Sequence, residues 1–413
     1  MTGNAFRIGR LPGAGPVVSG HFLSNRYEIM RFWILLICLA SVGTGFGQTN
    51  LVDAPAATNA PSKFRSAEDG WFDISGFLDE KYGFLPIVIP ITEPAVGYGA
   101  LGGIAFISQP LGKSVGSLER PDITAVGGLG TGNGSWGAGA VDIRHWFQNR
   151  LQTQVAAVYA SINLDYYGLG NDSILNGHPL RYTLEPRGVM LTPRYQFGGS
   201  HFWAGLGYTF SATEVSFQAP AGTPGLPSFS HEINVGGLLP SATYDTRDNV
   251  FTPNRGMYLE AAGGLYSPSL GGDTDFQKAN LLYIQYVPLG DRWFLGVRSE
   301  VAASFGNCPF YMRPYLTLRG APAMRYQGQE IAQIEPELRW QFWKRYSAIV
   351  FVGGGGAWNS FQQFKNSEGI VTGGLGFRYE LARKYGIHAG FDVAFSADTV
   401  ALYIQVGSAW ARP

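Results

Sequence analysis

The sequence is poor in charge. Only 15% of its 413 residues are Asp, Glu, Lys or Arg, against about 25% in ordinary soluble domains. The 30 basic and 30 acidic side chains cancel, so no positive field exists to hold nucleic acid. Cysteine is nearly absent. Cys38 and Cys308 are the two, which excludes a disulfide framework or a cysteine zinc site. The six histidines form no spaced pair, and no metal is expected. No repeated apolar runs approach the roughly 20 residues of a membrane-spanning helix. The Gly-rich stretches at 127–130 and 353–356 are not followed by Gly-Lys-Ser/Thr or by a helical pattern, as a phosphate loop would require. No enzyme activity, catalytic residue or cofactor is expected.

Glycine and aromatics are abundant: 57 Gly, 27 Phe, 21 Tyr and 10 Trp. Glycine destabilises helix interiors by about 1 kcal/mol against Ala, so this composition points to a large β-protein. The long alternating segments agree. Ala332, Ile334, Leu338, Trp340 and Phe342 alternate with Gln333, Glu335, Glu337, Arg339 and Gln341. Val371, Leu375, Phe377 and Tyr379 alternate with Thr372, Gly376, Arg378 and Glu380. A period of two sends successive side chains to opposite faces of a strand. One face here is apolar and aromatic, and the other carries charges.

Near the N-terminus, Phe32–Val42 form an apolar run behind Met30 and Arg31, followed by small residues up to Gly47. This is the pattern of a secretory signal. Cleavage is expected near Gly47, with Met30 as the true start. Ile37 is too bulky before Cys38 for a lipoprotein site. Residues 1–47 are read as extension and signal, 48–70 as a linker, and 71–413 as one β-domain.

Sixteen segments from 82–92 to 399–410 are long enough to cross a bilayer as tilted strands of about 9 to 11 residues. Aromatics gather at their ends: Trp146, Phe147, Trp293, Phe294, Trp340, Trp343 and Trp410. Tight turns at 147–150, 198–200, 289–291 and 344–346 alternate with longer connections at 162–186, 218–232, 306–330 and 359–368. The expected fold is therefore all-β, a 16-stranded antiparallel transmembrane β-barrel of the outer membrane. Asp142, Arg144, Arg298, Glu300, Arg339, Arg378, Glu380, His388 and Asp392 are expected to face the lumen. Pro86 and Pro90 should weaken the pairing of the first strand.

Several motifs then resemble the bacterial surface antigen family, whose barrels are related to BamA and TamA. Tyr244-Asp245-Thr246-Arg247-Asp248, followed by Pro253 and Arg255-Gly256, is similar to its strand–turn–strand signature. Tyr166–Asp172 is similar to a second common stretch. Leu318-Arg319-Gly320 resembles the motif of the family's sixth extracellular loop, and Glu337-Leu338-Arg339 and Phe351–Gly355 resemble the strands after it. Ala321 replaces an aromatic of the loop motif, and Gly353 replaces an acid. The interval 48–70 is too short for a POTRA domain, so a barrel without POTRA domains is expected.

The resemblance implies that Arg319 folds into the lumen and locks the loop against barrel acids. Without a carboxylate at 353, Glu335, Glu337 and Arg339 are the candidate lumen partners, and Arg325 competes for the same acids. Asp245, Arg247 and Asp248 are read as a network fixing a turn. The family points to outer-membrane assembly, or to translocation or insertion of protein or lipid. The alternative is a passive porin-like channel for small solutes. Expected partners are outer-membrane lipids and other outer-membrane or periplasmic proteins, with the chain itself a monomer.

Overall fold

The structure, a computed structural model, describes residues 63–80, 82–108, 122–168, 175, 179–217, 229–360 and 367–410. The signal segment, most of the linker and residues 169–172 of the second family stretch lie outside the described residues. A short helix, α1 (Ser75–Glu80), precedes the strands. These are β1 (Gly83–Ile91), β2 (Gly99–Ile107), β3 (Ile123–Thr131), β4 (Trp136–Trp146), β5 (Leu151–Tyr166), β6 (Leu180–Leu191), β7 (Arg194–Gln196), β8 (Phe202–Phe217) and β9 (Phe229–Asp245). They continue with β10 (Gly256–Tyr266), β11 (Phe276–Pro288), β12 (Trp293–Gly306), β13 (Glu330–Trp343), β14 (Tyr346–Trp358), β15 (Glu368–Ala382), β16 (Ile387–Phe395) and β17 (Val400–Val406).

Every ladder is antiparallel and joins neighbours along the chain. β5 pairs with both β6 and β7, and both pair with β8. β6 and β7 are therefore one stave, interrupted at Pro193, which has no N–H for a ladder. Seventeen segments thus make sixteen staves, which fits the expected count. Among the described residues no helix is long and apolar enough to cross a membrane; the strands do the crossing.

β1 pairs with β2 without a break from Gly83↔Ile107 to Ile91↔Gly99. Pro86 and Pro90 share one parity, so their missing N–H groups fall on one edge of the strand. The unbroken register puts that edge on the side away from β2. No described ladder joins β1 to β17; the last pairing is β16 with β17. The prolines thus weaken the barrel's seam rather than the β1–β2 pair.

The alternation expected for 332–342 holds. Ile334, Trp340 and Phe342 are exposed on the outer face, while Gln333, Glu335 and Arg339 are buried inside. Trp146, Phe147, Trp293, Trp340 and Trp343 line the outer rim at the tight-turn end, and Tyr98, Trp136, Tyr159, Phe305 and Phe395 lie on the outside toward the loop end. These are the two interfacial belts of a membrane barrel.

Three expectations about faces are corrected. Trp410 is not in a belt: it is 1% exposed and folded into the lumen. Phe294 also faces inward, beneath the Arg339 guanidinium at 4.6 Å. Asp142 and Arg144 share the parity of outward Trp136 and Trp146, so they lie on the outer face. There they pair at 2.8 Å near the rim, where water still reaches both.

The lumen is also less uniform than expected. Along β12–β16 it is charged. Along β1–β6 most inward positions, among them Leu85, Ile87, Ile89, Leu101, Ala125, Val141, Ala156, Ile162 and Leu184, form one apolar cluster, with Gln152 and Gln154 buried at the tight-turn end of β5. In β1 and β2 both faces are apolar, so strict apolar–charged alternation fails there.

Residues 63–80 dock under the tight-turn end. Within the linker expected over 48–70, Asp69 binds Arg345 through both carboxylate oxygens, at 2.8 and 2.9 Å. Arg345 also donates to Asp73 at 2.8 Å. Asp73 in turn accepts from the Ser75 N–H at 2.6 Å, capping α1. Ile74 and Leu78 pack against Ala382, Tyr385, Ile387 and Val406. The Trp71 ring meets Trp343 edge-on at 5.2 Å. The hydrogen bond from Arg345 holds the Asp69 carboxyl down at about 2. Burial raises the Asp73 pKa, but hydrogen bonds from Ser75 and Arg345 outweigh it and the net direction is down.

Candidate functional site

The long connection 307–329 between β12 and β13 dips into the lumen instead of standing above it. A short antiparallel contact, Tyr315↔Gln327, closes it into a hairpin-like finger. Leu316, Leu318, Ala321 and Tyr326 bury their side chains against Ile331, Ala357 and Ile370 of the barrel wall. At the tip, Gly320 adopts φ +89°, a conformation that favours glycine. An added Cβ would stand 3.2 Å from Ala394. The Gly320 N–H donates to the Tyr403 hydroxyl at 3.0 Å, tying the tip to β17.

Arg319 is the centre of the finger's hold. Its side chain is 7% exposed and reaches three carboxylates. It donates through Nε to Glu335 at 3.0 Å and through a terminal nitrogen to Asp392 at 2.9 Å. Glu337 lies 2.7 Å from that same nitrogen. The Arg319 backbone N–H adds a bond to Glu335 at 3.0 Å. The guanidinium sits 3.6 Å over the Phe351 ring, a stacking contact that suits Arg better than Lys. Burial works against the Arg319 charge, but Glu335, Glu337 and Asp392 more than offset it and hold its pKa above the ordinary arginine value.

The structure therefore joins Arg319 to Glu335 and Glu337 as the sequence predicts. It adds partners that the sequence reading did not connect to the loop. Asp392 is shared with Arg378, which donates to its two oxygens at 2.7 and 2.8 Å. Gly376 lies opposite Asp392 in the ladder, and a Cβ there would fall 2.0 Å from the Asp392 carboxylate. That inward glycine beside an inward acid was the available clue. Trp410 donates its indole N–H to Glu335 at 2.7 Å, so the chain's C-terminal end completes the lock. Below the tip, Arg298 bonds the Thr317 carbonyl at 3.0 Å and pairs with Glu300.

Two expected partners stand apart. Arg339 is inward and buried, but its hydrogen bond goes to Asn254 in the β9–β10 turn and not to the finger. Arg325 pairs with Glu368, so it does not compete for the Arg319 acids. With these included, five arginines around the finger (Arg298, Arg319, Arg325, Arg339, Arg378) stand among five carboxylates (Glu300, Glu335, Glu337, Glu368, Asp392). The charges of this cluster balance, the condition under which buried charges are retained.

The departures at 321 and 353 have a steric reason. A Cβ on Gly353 would lie 3.0 Å from Leu318 and 2.9 Å from Thr372. Leu318 fills the space beside Gly353, and the acid comes instead from β16. Ala321 is 1% exposed in a tight apolar seat.

The strand–turn motif is a structural joint. Arg247 donates to Asp245 at 2.9 and 2.8 Å and lies 4.6 Å over the Tyr258 ring. Asp248 accepts from the N–H groups of Asn254 and Arg255 at 3.0 and 3.3 Å, which shapes the turn around Pro253. Gly256 has φ +97°, and a Cβ would meet the Thr246 carbonyl at 2.2 Å. Tyr244 faces outward. Asn249 carries the joint onward by donating to the Tyr385 carbonyl at 2.8 Å.

Comparison with known proteins agrees with this geometry. The Omp85 superfamily domain matches residues 237–395, the stretch that holds the strand–turn joint, the finger and Asp392. No curated protein matches the chain. Among solved structures, BamA from Haemophilus ducreyi lacking POTRA domains 1-3 superposes with a TM-score of 0.54 at 12% identity, covering 79% of this chain and 69% of that one. CdiB from Escherichia coli gives 0.53 at 12% identity, covering 83% of this chain and 65% of that one, just under two thirds of its length. At such identity these likenesses establish the fold. Together with the domain match over residues 237–395, they give this chain a transmembrane β-barrel fold similar to the barrels of BamA and CdiB.

Proposed function

We propose that the barrel acts in outer-membrane assembly, or in the insertion or translocation of protein or lipid, through its seam. The observation that carries this reading is the contrast between the seam and the wall beside it. The finger is bolted to β13, β16 and β17 through Glu335, Glu337, Asp392 and Tyr403. β1, with two proline nitrogens on its outer edge, has no described ladder to β17. Separating β1 from β17 would break few backbone hydrogen bonds, whereas parting any other stave breaks a full ladder. Unpaired strand edges are templates for another strand, which suits insertion of an incoming chain.

The test is a set of cysteine pairs placed across β1 and β17 and oxidised in cells. Arrest of growth or of substrate insertion, reversed by reductant, is expected; normal growth with a complete cross-link sinks the proposal. Depletion followed by outer-membrane proteomics separates the roles. Broad loss of other barrels supports assembly. An unchanged profile, with stable ohmic steps in planar bilayers, would favour the porin-like channel instead.

A further inference from the structure

The path of residues 63–80 along the rim leads to the seam. Trp71 lies beside Trp343, at the β13–β14 turn. Tyr379 of β15 donates its hydroxyl to the Phe72 carbonyl at 2.6 Å. The Ile74 N–H donates to the Leu381 carbonyl at 3.0 Å. Ile74 and Leu78 then pack on Ile387 of β16 and Val406 of β17. Val406 shares the parity of outward Val400 and Leu402, so the segment covers it from outside the barrel. The segment thus passes along β13 to β17, and the next strand of the chain is β1. It crosses the seam.

The crossing is short and its far side is fixed. Asp79 accepts from the Lys384 ammonium at 2.7 Å and from the Tyr385 hydroxyl at 2.6 Å. The Lys384 N–H donates to the Ser75 hydroxyl at 3.2 Å. Glu68 pairs with Arg383 at 2.9 Å. Exposed pairs of this kind add little singly, but Arg345, which holds Asp69 and Asp73, is 1% exposed. β1 begins at Gly83, four residues after Asp79, and four residues reach at most about 14 Å. While the segment stays docked, the lower end of β1 is leashed to β15–β17.

The upper end of β1 is held differently. In the β1–β2 connection, the Tyr98 carbonyl accepts from the Gly132 N–H at 2.8 Å, and the Ala95 carbonyl accepts from the Asn133 side chain at 3.4 Å. Both donors belong to the β3–β4 turn, on β1's own side of the seam. β1 is therefore tied across the seam at one end and away from it at the other, with no described ladder to β17 between them.

We propose that residues 63–80 are a latch on the seam. Docked, they hold β1 to β17 at the tight-turn end, so the seam parts as a wedge from the loop end. The latch rests on the seam reading above and gives the opening a direction.

The experiment measures distances across the seam by pulsed electron paramagnetic resonance. It uses the full-length protein in phosphatidylcholine nanodiscs, with Cys38→Ser and Cys308→Ser as background. Nitroxide pairs go on outward residues of β2 and β17, which leaves the proline edge of β1 untouched. Phe106→Cys with Ile404→Cys spans the tight-turn end, and Ala100→Cys with Val400→Cys spans the loop end. A narrow distribution is expected for the first pair and a broad one for the second. Ten Gly/Ser residues inserted after Glu80 add a flexible leash of about 17 Å and leave every docking contact in place. The first distribution should then broaden to the width of the second, which should not change. Leu78→Asp, which undocks α1, should have the same effect, with heat-dependent gel mobility confirming a folded barrel. A first pair already as broad as the second in the unmodified chain would overturn the latch and leave the seam reading standing. So would a first pair that stays narrow after the insertion while the second is broad. Both pairs narrow in every form would overturn the seam reading and the latch with it.

Discussion

Replacing Arg319 with Ala removes the one cation that three buried carboxylates share. Breaking a buried ion pair by deleting one partner typically costs about 3–5 kcal/mol, because the stranded charge stays desolvated. The structure says where in that range the cost falls. Asp392 keeps both hydrogen bonds from Arg378, and Glu335 keeps the Trp410 indole. Glu337 has the greatest exposure of the three, with 12% of its side chain accessible. Two of the three acids retain a donor and the third meets water, so the loss should sit near the low end, about 3 kcal/mol. Arg319→Lys keeps the charge but loses the fork and the stacking on Phe351, and should cost about 1.5 kcal/mol. Equilibrium urea unfolding of the barrel in micelles, followed by Trp fluorescence, measures both. Limited proteolysis of 307–329 reports the finger itself. A double-mutant cycle with Asp392→Asn should give a coupling of about 1–3 kcal/mol. If Arg319→Ala loses less than about 1 kcal/mol and the finger stays protected, the ion cluster is not the lock, and the apolar seat of Leu316 and Leu318 must be holding the finger alone.

Other perturbations probe other joints. Asp69 has a folded pKa of about 2, below the ordinary 3.8. Its contribution is therefore complete above about pH 4 and is lost as pH falls through about 2. Docking of residues 63–80, read by Trp71 fluorescence or by cleavage at Lys63 and Arg65, should weaken over that window, and Asp69→Asn should abolish that part of the pH dependence. Trp410→Ala should cost about 3–5 kcal/mol through the lost ring and the lost bond to Glu335; a change below about 1 kcal/mol would mean that the indole is not seated in the lumen. Gly320→Ala, forced into a left-handed conformation next to Ala394, should cost about 1–2 kcal/mol and raise protease sensitivity at the finger, while unaltered sensitivity would argue against the tight approach. Gly353→Asp should destabilise by about 1–3 kcal/mol against Leu318, and Leu318→Ala in the same chain should recover part of that loss if crowding is the cause.

Much of the architecture was legible because a barrel crossing lipid is written in period two. The segments around 332–342 and 371–379 have one charged and one apolar face, and both faces read correctly. Asp142 and Arg144 misled for a physical reason. Near a membrane interface an outward ion pair remains wet enough to persist, so charge at a strand end does not by itself mark the lumen. β1 and β2 are apolar on both faces, so periodicity carries no signal about which side is which. Trp410 follows a strand near the end of the sequence, which looks like a belt residue. Only the turn at Gly407 (φ +79°) sends it inward. Asp392 was legible as an inward charge, but its partnership with a finger 73 residues away in sequence depends on barrel curvature that no local pattern encodes.

The two halves of the lumen follow from one constraint. A finger of chain inside a barrel brings backbone N–H and C=O groups with it, and these must be satisfied without bulk water. The charged half does this: Gln333 accepts the Thr317 N–H at 2.8 Å, Glu335 the Arg319 N–H at 3.0 Å, and Tyr403 the Gly320 N–H at 3.0 Å. Each acceptor on the wall then needs its own compensation, which the arginines, Gln333 and Trp410 provide. Charge in this lumen is thus a consequence of housing the finger tip. Where the finger presents side chains rather than backbone, as at Tyr311 and Met312, the facing wall carries no charge and is built mainly from small and aliphatic residues. The same reasoning explains why the acid absent at 353 reappears at 392: the tip needs a carboxylate within reach of Arg319, and the chain position that supplies it is free to change wherever a small neighbour, here Gly376, makes room.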